Sequence, residues 1–171
     1  MTELLLDAEA LYLDLRRGVE RLLQPDMALV GVWSGGAWLA ERLALDLNLG
    51  TAGVISSSLH RDDFGSRGMV HGSDPTRLPF EVEGRPILLI DDVLYTGRTT
   101  RAVINELFDF GRPASVQLAV LVDRGGRQLP IEPAFSAARV SLAPGVSLRL
   151  EKTEQGRFGF HLKTRESLDA E

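Results

Sequence analysis

Two adjacent carboxylates, Asp91 and Asp92, close a short apolar run at residues 87–90 (ILLI). A cluster of small polar residues follows them: Thr96, Gly97, Arg98, Thr99 and Thr100. In open α/β sheets, ligands bind at the carboxyl ends of the strands. Hydroxyls and unpaired backbone N–H groups at the start of a helix suit a phosphate dianion, because the N–H groups point at it and the helix dipole favours negative charge. Gly97 lets the backbone come close. Two acids beside such a cradle would repel the phosphate if they faced it. They fit instead as acceptors for vicinal sugar hydroxyls, or as anchors for Mg²⁺ and its waters. A sugar diol on the acids and a 5′-phosphate on the TGRTT loop describe a ribose 5-phosphate site. An isolated Asp-Asp pair would as readily cap a helix. The whole string after an apolar strand is much harder to explain that way.

The elements that must position these residues follow from periodicity. Asp7 is placed to cap a helix running to about Leu23, with Leu11, Leu15, Val19 and Leu22 on one face. Residues 27–32 read as a strand. Ser34, Gly35 and Gly36 then lead into a second helix with Leu39, Leu43 and Leu47 in register. Residues 53–59 read as another strand, and 87–90 as a buried parallel one. A helix over 101–110 faces inward through Val103, Leu107 and Phe110. Residues 116–122 form the next strand. Beyond Asp123 the pattern loosens until 146–150 and 158–162, which flank KTEQGR and read as a terminal β-hairpin. Strands alternating with helices predict an α/β fold with a mainly parallel, twisted sheet flanked by helices, one domain over 1–171. Residues 60–79 are polar, glycine-containing and aperiodic. A loop of roughly twenty residues inside a compact domain is expected to be a functional, flexible one.

Composition narrows the chemistry. The chain has 171 residues, 44% hydrophobic and 25% charged, with a formal net charge of −5 and no cysteine. Disulfides, thiolate-bound zinc and a Cys nucleophile are excluded. Three histidines make a His-rich metal site a poor reading. The 19 basic residues include only two lysines, Lys152 and Lys163, so arginine, whose planar fork suits phosphate, carries almost all the positive charge. No segment is long and apolar enough to span a membrane. The acidic start lacks the features of a signal peptide, so a cytoplasmic protein is expected. A dinucleotide fingerprint and a P-loop are both missing.

The string LLIDDVLYTGRTTRA resembles the phosphoribosyl-diphosphate (PRPP) signature of type I phosphoribosyltransferases. The longer stretch 91–131 resembles one branch, the PyrR family. LHRDD at 59–63 and VGVWSGGAWLAERLA at 30–44 are similar to two further blocks of that family. The resemblance implies a type I fold with a small hood. It implies uracil phosphoribosyltransferase activity, forming UMP and diphosphate from uracil and PRPP with Mg²⁺, and in several members RNA-binding attenuation of pyrimidine operons. It implies that Asp91 and Asp92 hold the ribose hydroxyls near Mg²⁺. Thr96, Gly97, Arg98, Thr99 and Thr100 would bind the 5′-phosphate, and Ser34, Gly35 and Gly36 would form the pyrophosphate loop. Arg61 would reach the diphosphate on a closing loop at 60–79, with Asp62 and Asp63 at its base. Val93 and Arg124 would lie on the nucleobase side. It further implies a homodimer or higher homo-oligomer, for which Leu78, Phe80 and Phe135 are candidate contributors.

The sequence departs from the family at three places, one of them after Phe135, where SAARVSLAPG replaces the family's GKNIPTS. The family's Thr-Arg-Gly pyrophosphate loop is Ser34-Gly35-Gly36 here, and its DRGHRELPI is DRGGRQLPI, with Gly126 in the His position. Backbone N–H groups can still form an anion nest, but a cation is lost, so reduced transferase activity is expected. A competing reading is an RNA-binding or nucleotide-sensing regulator acting on a pyrimidine-operon leader RNA. Arg16, Arg17 and Arg21 are interleaved with Asp14 and Glu20, the pattern of an ordinary solvated helix face.

Overall fold

The computed structural model describes residues 5–57 and 75–164. Helix α1 (Ala8–Leu22) starts where the Asp7 carboxylate accepts the Ala10 N–H at 3.1 Å, as its sequence predicts. Tyr12, Leu15 and Val19 are buried along one face. On the other, Arg17 pairs with Asp14 at 3.0 Å, while Arg16 lies 3.7 Å from Asp46.

Strands β1 (Ala28–Val32), β2 (Gly53–Ile55), β3 (Pro86–Leu94), β4 (Ser115–Asp123) and β5 (Phe135–Arg139) form a parallel sheet in the order β2-β1-β3-β4-β5. Parallel strands must be covered on both faces. Alternate residues therefore enter two cores. Leu29, Leu88, Ile90 and Leu121 pack with Leu15 of α1 and with Leu39 and Leu43 of α2 (Gly35–Asp46). Val30, Ile87, Leu89 and Val120 pack with Val103 and Leu107 of α3 (Arg98–Asp109). The acid pair thus sits on the central strand, flanked by β1 and β4.

Several boundaries differ from the sequence reading. β3 does not stop at Ile90. Asp91, Val93 and Leu94 stay in register with Val120, Val122 and Asp123, so both acids lie inside the strand. α3 begins at Arg98 rather than at 101. It ends at Asp109, so Phe110 falls beyond the last helical turn and is 52% exposed instead of inward. β2 ends at Ile55. β5 lacks an apolar run because it is an edge strand whose residues are only partly buried. Most of the expected flexible loop, including Arg61, Asp62 and Asp63, lies outside the described residues. Its far end does not belong to a free loop, since Arg77 and Val54 exchange backbone hydrogen bonds at 2.7 and 2.8 Å. Leu78 and Phe80 are partly buried against the protein's own core, and the Phe135 ring lies against Gly18 of α1. Each of the three side chains is partly exposed.

The terminal hairpin forms as expected, from β6 (Val146–Lys152) and β7 (Phe158–Thr164). It is fastened to the helical layer by a clip absent from the sequence reading. The Arg42 guanidinium lies 3.7 Å from the Phe158 ring centre and 4.9 Å from that of Tyr12. It also pairs with Glu9 at 2.8 Å and donates to the Gly156 carbonyl. Glu9 in turn accepts the Phe158 N–H at 2.7 Å. Replacing Arg42 with Ala removes the stacking and leaves Glu9 and Gly156 without this donor. The expected cost is about 2 kcal/mol, a fall in melting temperature of about 4–8 °C for a chain of this size.

Candidate active site

The cleft at the carboxyl ends of β1 and β3 has a volume of about 860 Å³. Asp91 and Asp92 form its floor. Asp91 is buried, and its Oδ1 accepts the Asp92 N–H at 2.8 Å. Burial pushes its carboxyl well above the usual carboxylate range, and the neighbouring Asp92 charge adds to the effect. Asp92 is half-buried. Its Oδ1 accepts the Val93 N–H at 2.9 Å, and its Oδ2 accepts the Leu150 N–H of β6 at 3.2 Å.

The second wall is the turn from β3 into α3. Gly97 precedes the helix at φ +90°, in the left-handed region, and makes no side-chain cap. The Arg98 N–H goes to Thr96 Oγ1 at 3.2 Å, and Thr100 is buried. The first turn of α3 therefore presents backbone donors and the Thr99 side chain to the cleft. The segment 127–131 braces this turn. Gln128 and Leu129 donate backbone N–H groups to the Thr96 carbonyl, Gln128 Oε1 accepts from Arg98 Nε at 2.7 Å, and Ile131 lies against Gly97.

Ser34 and Gly35 line the opposite side, where β1 turns into α2. Gly36 sits beneath them: a Cβ there would lie 2.2 Å from the Ile90 carbonyl oxygen. At the remaining end, the Arg124 guanidinium stacks 3.9 Å from the Tyr95 ring centre and donates to the Val146 carbonyl at 2.7 Å. A Cβ at Gly126 would meet the same ring at 2.4 Å. The small residue at 126 thus leaves room for Tyr95 to lie on Arg124. Arg127 holds the loop from below, bonded to Asp123 at 2.7 Å and to the Tyr95 and Ile131 carbonyls at 2.8 Å. Partial burial works against the charged form of Asp123, but the Arg127 hydrogen bond, the Gly125 N–H and nearby guanidinium charge outweigh it and lower its carboxyl.

Residues 2–139 match the phosphoribosyl transferase domain family. The "Bifunctional protein PyrR" of Ralstonia nicotianae is 52% identical over 170 residues, covering 97% of this chain and 98% of that protein. The protein of the same name from Nitrosococcus oceani is 45% identical, covering 85% of this chain and 86% of its own length. The chain belongs to the PyrR family of phosphoribosyltransferases. Among solved structures, the hypoxanthine phosphoribosyltransferase of Trypanosoma cruzi superposes with a TM-score of 0.59 at 20% identity, over 85% of each chain. The HGPRT-ase of Leishmania tarentolae in complex with GMP gives 0.60 at 17%, over 85% of this chain and 84% of that one. Both share the fold.

Within this PyrR-family chain, the cleft brings together Asp91, Asp92, Val93, Thr96, Arg98, Thr99, Ser34, Gly35 and Arg124. Gly36, Gly97 and Thr100 support it from behind. The sequence reading missed the hairpin wall and Tyr95. It also missed Ser57, a buried residue lining the cleft after β2. Only Tyr95 carried a signal, as the aromatic residue inside the signature string.

Proposed function

We propose that this PyrR-family chain is a uracil phosphoribosyltransferase, forming UMP and diphosphate from uracil and PRPP. The observation that carries the reading is the shared cleft: a strand-borne acid pair and the TGRTT loop at a helix N-terminus line the same cavity. Asp91 and Asp92 accept hydrogen bonds from the ribose hydroxyls. Thr96, Gly97, Arg98, Thr99 and Thr100 hold the 5′-phosphate. Backbone N–H groups at Ser34, Gly35 and Gly36 face the diphosphate. Val93 and Arg124 border the base.

In the reaction the C1′–O bond to diphosphate breaks, with the electron pair leaving on diphosphate. The N1–C1′ bond forms, and the N1 proton is lost to solvent. Passage through an oxocarbenium-like state needs no protein nucleophile. It needs alignment of the two partners and negative charge near the developing cation, which the acid pair supplies.

Among the described residues, no group of three or more His, Asp or Glu side chains is arranged to hold a metal. The paired carboxylates nevertheless fit Mg²⁺ arriving with PRPP, since their oxygens are hard donors and their mutual repulsion is relieved by a cation. Bound there, the ion would neutralise charge on the departing diphosphate.

The test is a panel of uracil, hypoxanthine, guanine, adenine and orotate with PRPP and Mg²⁺. Uracil is expected to be turned over in preference to the rest. Preference for a purine would overturn the assignment.

The word "bifunctional" in the names of relatives matched over nearly their whole length supports a second role, which we read as UMP-dependent binding of a pyrimidine-operon leader RNA. Filter binding to such an RNA with and without UMP tests it. An affinity that responds neither to UMP nor to salt would count against it.

A further inference from the structure

Strands β6 and β7 are antiparallel and in register from Val146↔Thr164 to Lys152↔Phe158, and in such a ladder the peptide groups of alternate residues point away from the partner strand. Two of those outward groups are in use at the cleft. The Val146 carbonyl accepts from Arg124 at 2.7 Å, and the Leu150 N–H donates to Asp92 Oδ2 at 3.2 Å. The free edge of the hairpin is thereby seated on both ends of the site. The seat is firm, because the Phe158 N–H on β7 is held by Glu9 at 2.7 Å. On its other side, Asp92 meets the backbone of residue 35. A Cβ there would lie 2.6 Å from Asp92 Oδ2 and 2.8 Å from its Cγ. The easiest relief is rotation of Asp92, which would break its bond to Leu150.

We propose that the hairpin sets the position of Asp92 through the Leu150 backbone N–H, and that a side chain at residue 35 would displace Asp92 from that position. Leu150 is a positioning residue. It acts through its peptide group and leaves no side-chain signature. The inference rests on the PRPP-binding part of the reading above. It also changes the meaning of Gly35. Besides lacking a cation, the loop leaves room for a carboxylate held by the hairpin.

The test compares Leu150→Pro with Leu150→Ala. Both shorten or reshape the buried side chain, but only proline removes the N–H. Proline is tolerated where the N–H points out of the ladder. PRPP affinity is read by calorimetry with Mg²⁺, and UMP formation is followed in parallel. Leu150→Pro is expected to bind PRPP about tenfold more weakly than Leu150→Ala, the scale of a lost hydrogen bond to a charged group. In an Asp92→Ala background the difference between the two should vanish. Equal PRPP affinities, or a difference that survives Asp92→Ala, would overturn the proposal. If Leu150→Pro does not fold, Gly35→Ala carries the same cycle: weaker PRPP binding in the parent, with no added loss in Asp92→Ala. Unchanged binding by Gly35→Ala would overturn the proposal as well. A parent chain that binds PRPP but makes no UMP refutes the uracil assignment and leaves this comparison readable. A parent that does not bind PRPP refutes both.

Discussion

Asp91→Asn is expected to lower kcat/KM for UMP formation by about 10²–10³-fold, the scale for removing one preorganised charge partner of a transition state. It should also raise the melting temperature at neutral and alkaline pH. Asp91 is buried against Asp92, and its carboxyl sits well above the usual range, chiefly through burial. In the unfolded chain an aspartate titrates near pH ~4. The folded protein therefore holds this proton more tightly than the unfolded chain does. The stabilisation from the protonated form is fully present below the unfolded value and is lost as pH rises through the higher folded value. Above that window, a buried anion destabilises the fold. Asparagine carries no charge at any pH and can still accept the Asp92 N–H. The melting difference between variant and parent should be largest at pH 8 and shrink towards pH 4. A variant that melts below the parent at pH 8 would show that Asp91 stabilises the fold as an anion. The inverse link between activity and stability is what a strained functional carboxylate predicts.

Much of this site was legible because its chemistry is local. Asp91 to Thr100 are contiguous, and an apolar strand followed by acids, a glycine and hydroxyls has few other uses. The Asp7 cap and the hairpin were legible for the same reason: each is a short-range pattern. What escaped the sequence depends on contacts between distant segments. β3 runs on through its two acids because β4 offers ladder partners as far as Asp123, and no local propensity of an Asp-Asp pair announces that. β5, FSAAR, has too little apolar character to read as a strand and is held at the sheet edge by pairing with β4. The Arg42 clip joins α1, α2 and β7. The loss of an arginine at position 35 is plain in the sequence, but the approach of the Asp92 carboxylate to within 2.6 Å of a Cβ position there is not. The Gly at 126 read as another loss, yet it leaves room for the Tyr95 ring over Arg124.

Gly36 behaves differently from Gly35, and the contrast makes the last strong prediction. At Gly35 the obstructing atoms belong to a side chain that can turn. At Gly36 they are backbone: a Cβ would lie 2.2 Å from the Ile90 carbonyl oxygen and 2.9 Å from the Asp91 Cα. Gly31, the register partner of Ile90 on β1, is equally tight, with a Cβ position 2.5 Å from the Gly36 carbonyl oxygen. The first turn of α2 thus rests directly on two paired strands, and three glycine-sized gaps in the sequence allow it: Gly31, Gly35 and Gly36. Neither strand can retreat, since both are hydrogen-bonded in the middle of the sheet. Gly36→Ala must therefore lift the start of α2. The expected cost is about 3 kcal/mol, at the upper end for overpacking, or a fall in melting temperature of about 6–12 °C. Lifting α2 also draws Ser34 and Gly35 away from the acid pair, so PRPP affinity should fall in the molecules that remain folded. Gly50→Ala is the matching control, because no heavy atom lies within 4 Å of its Cβ position. It should melt within about 1–2 °C of the parent. Were Gly36→Ala to melt like Gly50→Ala, α2 would not be seated on β3. The close approach that brings the Ser34–Gly35 turn beside Asp92 would then not be a property of the protein.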